Sequence, residues 1–170
     1  LDQDLPPEFD VQVSGVQLDS RLVKPGDLFM ACFGKNHDAR DYIDLAIDHG
    51  AVAVVAHAGG TWSGVTVRRG VIVMAVDDLS ARTGEIAARF YDEPSAAMTM
   101  IGVTGTNGKT SCTQFIAQTL TAMQRKCGVI GTIGYGLYGD LHESGYTTPD
   151  PVFLQSVLAQ MRSQGADTVA

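Results

Sequence analysis

The stretch Ile101-Gly102-Val103-Thr104-Gly105-Thr106-Asn107-Gly108-Lys109-Thr110-Ser111 decides how this chain reads. An apolar run, Met98 to Val103, leads into it as an expected strand. A helical pattern from about Lys109 to Met123 leads out, with Cys112, Phe115, Ile116, Leu120 and Met123 expected on one buried face. Strand, glycine-rich turn and helix in that order form the context a phosphate-binding loop requires. Gly105 and Gly108 let the backbone turn tightly and aim its N–H groups inward. The helix contributes the positive end of its dipole. Lys109 is the only cation of the loop, placed to reach the β- and γ-phosphates of ATP, and the Thr110 hydroxyl is placed to bind the accompanying Mg²⁺. The candidate ATP-binding residues are Gly105, Thr106, Asn107, Gly108, Lys109, Thr110 and Ser111, with Lys109 the candidate catalytic residue and Thr110 the candidate metal ligand. One feature departs from the common loop, which has a glycine five positions before Gly108; here that position is Val103. A glycine-rich turn that only caps a helix is the bland alternative.

Working outward, Val129 to Thr132 reads as a strand, and Gly134 to Tyr146 as a loop or bent hairpin. Asp150 is an expected N-cap with Pro151 at the first helical position. Phe153, Leu154, Val157, Leu158 and Met161 are that helix's apolar stripe, and Gly165 ends it. Asp167 to Ala170 looks like a strand just begun, so the sheet is expected to be unfinished. Upstream, Leu28 to Phe33, Ala51 to Ala56 and Val71 to Val76 read as strands. Asp41 to His49 reads as a helix closed by Gly50. A second helix starts after Asp77 or Asp78 and buries Leu79, Thr83, Ile86, Ala87 and Phe90. Asp92-Glu93-Pro94-Ser95 breaks the pattern. The expectation is an α/β chain of two domains: a small mixed α/β N-terminal domain at 1–93 and a partial P-loop central domain at 97–170.

Bulk properties narrow the partners. The chain has 170 residues and a formal net charge of −7. Such a charge argues against nucleic acid as the main partner, because phosphate backbones need a basic face. It leaves room for small phosphorylated ligands held by N–H groups and one or two cations. No apolar stretch is long enough to span a bilayer, so membrane insertion is not expected. Cys32, Cys112 and Cys127 are odd in number with no C-x-x-C pair, and read as reduced thiols of a cytoplasmic protein. The chain opens on Leu1 rather than Met, so an upstream segment is expected.

Gly-Thr-Asn-Gly-Lys-Thr-Ser, residues 105–111, resembles the phosphate loop of the Mur ligases and the related folylpolyglutamate synthetases. Two further stretches resemble the first domain of Mur ligases: Leu18-Asp19-Ser20-Arg21 with Pro25-Gly26-Asp27-Leu28-Phe29, and Gly34 to Ile43. Tyr146-Thr147-Thr148-Pro149-Asp150 resembles the Thr-Thr-Pro segment of the members that add the third residue of the peptidoglycan stem. The resemblance implies an ATP-dependent ligase acting on UDP-MurNAc-L-Ala-D-Glu and an amino acid, meso-diaminopimelate or L-lysine, through an acyl phosphate with Mg²⁺. It implies that Leu18 and Ser20 line a uridine pocket, that Lys35, Asn36 and His37 lie against the UDP moiety, and that Thr147 and Thr148 meet the muramyl dipeptide. The family usually has Asn where this chain has Tyr146, which puts that contact in question. A monomer is expected for the full-length protein.

Plainer readings stand beside these. Asp19 and Ser20 are also turn-closing types, His37 a solvated loop histidine, and Thr148 an aid to starting the helix at Asp150. Cys112 reads as a small residue of the helix after the loop. His49, His57 and His142 show no partner pattern and receive no role. Two rival classes remain. A P-loop kinase or GTPase is one, although the 170 residues contain no Asn-Lys-x-Asp guanine-reading segment. A regulatory nucleotide-binding module without catalysis is the other.

Overall fold

The computed structural model describes residues 10–34, 37–143 and 149–170. Lys35, Asn36, Tyr146, Thr147 and Thr148 therefore lie outside the described residues. The chain divides into two compact units, Leu1–Ile86 and Ala87–Ala170.

In the first unit, β1 (Gly15–Gln17), β2 (Asp27–Ala31), β3 (Ala53–His57), β4 (Val65–Arg68) and β5 (Val71–Val76) form one sheet in the order β1-β2-β3-β5-β4. The first four of these are parallel, and β4 adds antiparallel to β5. A parallel sheet is buried on both faces, so its strands read as continuous apolar runs rather than alternations. Val54, Ala56, Phe29 and Val73 pack with Ile43 and Ala46 on one side, while Val55, Met74 and Val76 pack with Leu79 in another cluster. A 3-10 turn (Ala39–Tyr42) runs into α1 (Ile43–Asp48), and α2 (Leu79–Phe90) follows β5. Strand β2 ends earlier than its apolar run suggests. Phe33 is half exposed and pairs instead with Asp38 in an isolated antiparallel bridge.

The second unit joins β6 (Thr99–Met100), β7 (Cys127–Gly131), β8 (Gly134–Leu137), β9 (Asp140–His142) and β10 (Thr168–Val169) in the order β6-β10-β7-β8-β9. Strands β6, β10 and β7 are parallel, and β7, β8 and β9 antiparallel. The segment from Gly134 is thus a regular hairpin. Helix α4 (Pro151–Ser163) starts as its sequence indicates, the Asp150 carboxylate accepting from the N–H groups of Val152 and Phe153 at 2.9 Å. It buries Val157, Leu158 and Met161 against Val169. Helix α3 (Lys109–Ala122) keeps only part of its expected face. Phe115 and Met123 are each 65% exposed and Cys112 is exposed. The fully buried residue is Ala117, which meets Cys127, Val129 and Ala170, and Ile116 and Leu120 of the expected stripe pack against the same cluster.

Candidate functional site

Two sites emerge, one in each unit. In the second, β6 stops at Met100, and Ile101 to Gly108 carry the chain into α3 without regular structure. Both glycines named from sequence sit where a side chain would be strained: Gly105 has φ +148° and Gly108 φ +80°. Gly108 is the N-cap of α3 in the left-handed conformation and makes no side-chain cap hydrogen bond. The first N–H groups of a helix have no intrahelical acceptor. With no side chain capping them, they present partial positive charge to the exposed loop. Thr104 to Lys109 are all solvent-exposed. Lys109 folds back so that its ammonium donates to the Gly105 carbonyl, which keeps the cation over the loop. Thr110, one residue further, places its hydroxyl 3.1 Å from that of Thr132, just past β7.

This arrangement suits a nucleotide triphosphate with Mg²⁺. Among the described residues no group of three or more His, Cys, Asp or Glu side chains is placed to hold a metal. Magnesium binds through few protein ligands, keeping waters and substrate phosphates in its shell. A single hydroxyl from Thr110 fits that habit.

The first unit holds an open cleft of about 500 Å³ lined by Leu18, Asp19, Ser20, Arg21, Phe29, His37, Ala39, Tyr42 and Leu45. Leu18, Ser20 and His37 are thereby brought together. Its 19–22 wall is a turn: Leu22 N–H donates to Asp19 O at 3.0 Å, and the Asp19 carboxylate accepts the Arg21 N–H at 2.9 Å. Turn closure belongs to Asp19, whereas Ser20 is buried. The Arg21 guanidinium beside it holds the Asp19 carboxyl below the usual carboxylate range, against a weaker opposing push from burial. Exposed His37 enters from the loop closed by the Phe33–Asp38 bridge, where Gly34 N–H donates to His37 O at 3.0 Å.

Arg40 pins that loop from beneath. Its guanidinium forks onto Asp38, closest at 2.7 Å, and donates to the carbonyls of His57 and Gly59 at 3.1 and 3.2 Å. It also stacks 5.1 Å from the Phe33 ring centroid. Sequence reasoning passed over Arg40 and His49. His49 Nδ1 lies 2.9 Å from the Ser20 carbonyl. Nothing local marked that contact, since the partners are 29 residues apart.

Strand, glycine-rich loop and helix in one unit, with a mainly parallel sheet and an open cleft in the other, define an α/β protein with two candidate ligand sites. The model described as the Mur ligase family, catalytic domain, matches residues 12–91, and that of the Mur ligase middle domain matches residues 103–170. The chain belongs to the Mur ligase family. It is 50% identical over 161 residues to a UDP-N-acetylmuramoyl-L-alanyl-D-glutamate--2,6-diaminopimelate ligase of Coxiella burnetii, covering 95% of this chain and 32% of that protein. The protein of the same name from Pseudomonas aeruginosa is 44% identical, with 96% and 33% covered. A solved structure carrying that name superposes with TM-score 0.76 at 31% identity, over 92% of this chain and 31% of the other. The fold also matches the MurF ligase of Thermotoga maritima, solved with ADP, at TM-score 0.59 and 24% identity, covering 94% and 32% of the two chains. The chain thus spans about a third of the length of the curated relatives it matches. None of its described helices is long and apolar enough to cross a membrane.

Proposed function

We propose that these residues are the uridine-nucleotide-binding unit and the phosphate-loop half of the ATP-binding unit of a ligase. The ligase joins meso-diaminopimelate to the D-glutamate γ-carboxylate of UDP-MurNAc-L-Ala-D-Glu in peptidoglycan synthesis. The observation that carries the reading is the α3 N-terminus: a left-handed Gly108 without a capping side chain, followed by a lysine and a hydroxyl. The names of the relatives supply the substrates and the diaminopimelate preference. The ADP in the MurF neighbour supports nucleotide use.

In this reading the carboxylate attacks the γ-phosphorus of ATP and ADP leaves. The amine of the amino acid then attacks the resulting acyl phosphate and expels inorganic phosphate, with loss of a proton. Two anions must meet in the first step. Lys109 moves from the Gly105 carbonyl to the phosphates, lowering the repulsion, and the α3 amides hold the phosphate chain. Thr110 would hold Mg²⁺ through its hydroxyl oxygen, and the ion would supply screening of the remaining charge. Leu18, Ser20 and His37 hold the uridine end, with Lys35 and Asn36 beside it. Tyr146, Thr147 and Thr148 meet the muramyl peptide. The cytoplasm is where ATP and the UDP precursor occur together.

The test is phosphate release and product mass with the complete enzyme, ATP, Mg²⁺ and UDP-MurNAc-L-Ala-D-Glu, comparing meso-diaminopimelate with L-lysine. Tripeptide formed only with meso-diaminopimelate is expected. Turnover with L-lysine alone would move the protein to the lysine-adding ligases. ATP binding with no ligation of any acceptor would favour a regulatory nucleotide module.

A further inference from the structure

We propose that His49 is a positioning residue for the first unit's cleft, setting the width of its uridine pocket by tying the Leu18–Arg21 wall to helix α1. The inference rests on the reading of that cleft given above. A carbonyl oxygen only accepts hydrogen bonds, so the 2.9 Å contact to Ser20 O requires the proton on Nδ1 of His49. The other hydrogen bonds of residues 19–22 among the described residues are local, joining Asp19 to Arg21 and Leu22. They shape the turn but do not fix where it stands.

His49 is well placed to fix it. It is the C-cap of α1, its N–H donating to Leu45 O at 3.0 Å. The next residue, Gly50, turns back with φ +100° and accepts from Gly26 N–H at 3.0 Å, locking the helix end to the start of β2. The same helical segment carries Tyr42 and Leu45, which also line the cleft. His49 itself does not line the cleft. Its ring is thus a strut between two lining segments, and both Leu18 and buried Ser20 move with the carbonyl it holds.

The experiment uses the complete enzyme in steady-state ligation, with binding of uridine 5′-monophosphate measured separately by calorimetry. His49→Ala removes one hydrogen bond, so KM for the UDP-muramyl substrate and Kd for the mononucleotide should rise about three- to tenfold. KM for ATP and kcat at saturating substrate should hold. His49→Asn, whose amide N–H stands where Nδ1–H does, should restore most of the loss. A His49→Ala effect on Tm with no change in KM or Kd would show a merely structural role and overturn the proposal. So would failure of His49→Asn to recover binding while it recovers Tm. Leu18→Trp, which fills the cleft directly, separates the two levels. If it leaves mononucleotide binding unchanged, the cleft is not the uridine site and the underlying reading fails. If it abolishes binding while His49→Ala does nothing, only the strut fails.

Discussion

The hydroxyl of Thr110 lies 3.1 Å from the hydroxyl of Thr132, so the residue after the loop lysine is hydrogen-bonded to the end of β7. A hydroxyl that gives a lone pair to a cation has its proton free to donate elsewhere, and Thr132 Oγ1 is placed to take it. Thr132→Val in the complete enzyme should therefore raise the Mg²⁺ concentration needed for half-maximal nucleotide binding, by about three- to tenfold, the worth of one ordinary hydrogen bond. Thr132→Ser should behave like the parent. Calorimetric titration of ATP at several Mg²⁺ concentrations reads both, and an unchanged Mg²⁺ requirement for the valine variant would separate Thr132 from the cation.

Lys109→Ala should abolish ligation while leaving the UDP substrate bound. Lys109 is the only cation of the loop, and losing one such charge from a phosphoryl-transfer site costs on the order of a thousandfold in rate. Steady-state turnover within tenfold of the parent would take Lys109 out of the chemistry.

Acid should loosen the loop that carries His37. The Arg40 guanidinium holds the Asp38 carboxyl below its ordinary range, against a smaller opposing push from burial. A depressed carboxylate stabilises the fold at pH above its unfolded value, about 4, and that contribution disappears as pH falls through the lower folded value. Asp19, Asp48 and Asp167 are held down in the same way by Arg21, Arg69 and Arg125, so the total acid response is shared. The comparison that isolates Asp38 is Asp38→Asn. Urea midpoints between pH 7 and 3 should fall less steeply for the variant, and parallel curves would mean that the Arg40 fork adds no stability.

Gly50→Ala should destabilise the first unit. Its φ is +100°, and an added Cβ would stand 2.7 Å from the Pro25 Cα, a backbone atom that cannot swing aside. A left-handed non-glycine residue costs about 1–3 kcal/mol, before any clash is counted. Thermal unfolding should show Tm lowered by several degrees; an unchanged Tm would mean that the helix end relaxes freely.

A polypeptide of these 170 residues alone should bind Mg-ATP weakly and catalyse no ligation, because a phosphate loop gives no walls for adenine and ribose. The exposed Met100 on β6, with Phe115 and Met123 on α3, should also make it self-associate. Isothermal titration and light scattering test both points. A micromolar dissociation constant for Mg-ATP would show the half-domain to be sufficient.

The parts of this fold that could be read from sequence were those fixed by local chemistry. The Asp150-Pro151 helix start, the Val-rich β3 and β5, and the Gly105 to Thr110 loop each carry their cause within a few residues. Strand β4 went unread although its signal was present. Val65-Thr66-Val67-Arg68 and Val71-Ile72-Val73 flank Arg69-Gly70, whose φ values of 52° and 83° suit a two-residue hairpin turn. All four β4 residues are exposed, so the Val65-Val67 alternation marks no buried face. The face of α3 was read only in part: Ile116 and Leu120 pack on the sheet as their spacing indicates, while Cys112, Phe115 and Met123 are exposed, because helical periodicity finds apolar side chains but not the limits of the surface they meet. Leu18, Ser20 and His37 converge on one cleft, yet His49, which braces it, has no signature shorter than the fold itself.

One feature of the second sheet bears on the order in which the molecule is made. Strand β6 does not pair with β7, the next strand in the chain; β10 stands between them, Thr168 facing both Thr99 and Cys127. The strand that leads into the phosphate loop therefore waits for a partner 69 positions downstream. Helix α3 and the β7–β8–β9 hairpins are local and can form early, while closing so long a loop comes late and slowly. On a ribosome, Gly105 to Thr110 would emerge well before the strand that anchors them. The proposed nucleotide site should thus be a late product of folding, so that a nucleotide would meet a structure already assembled around it.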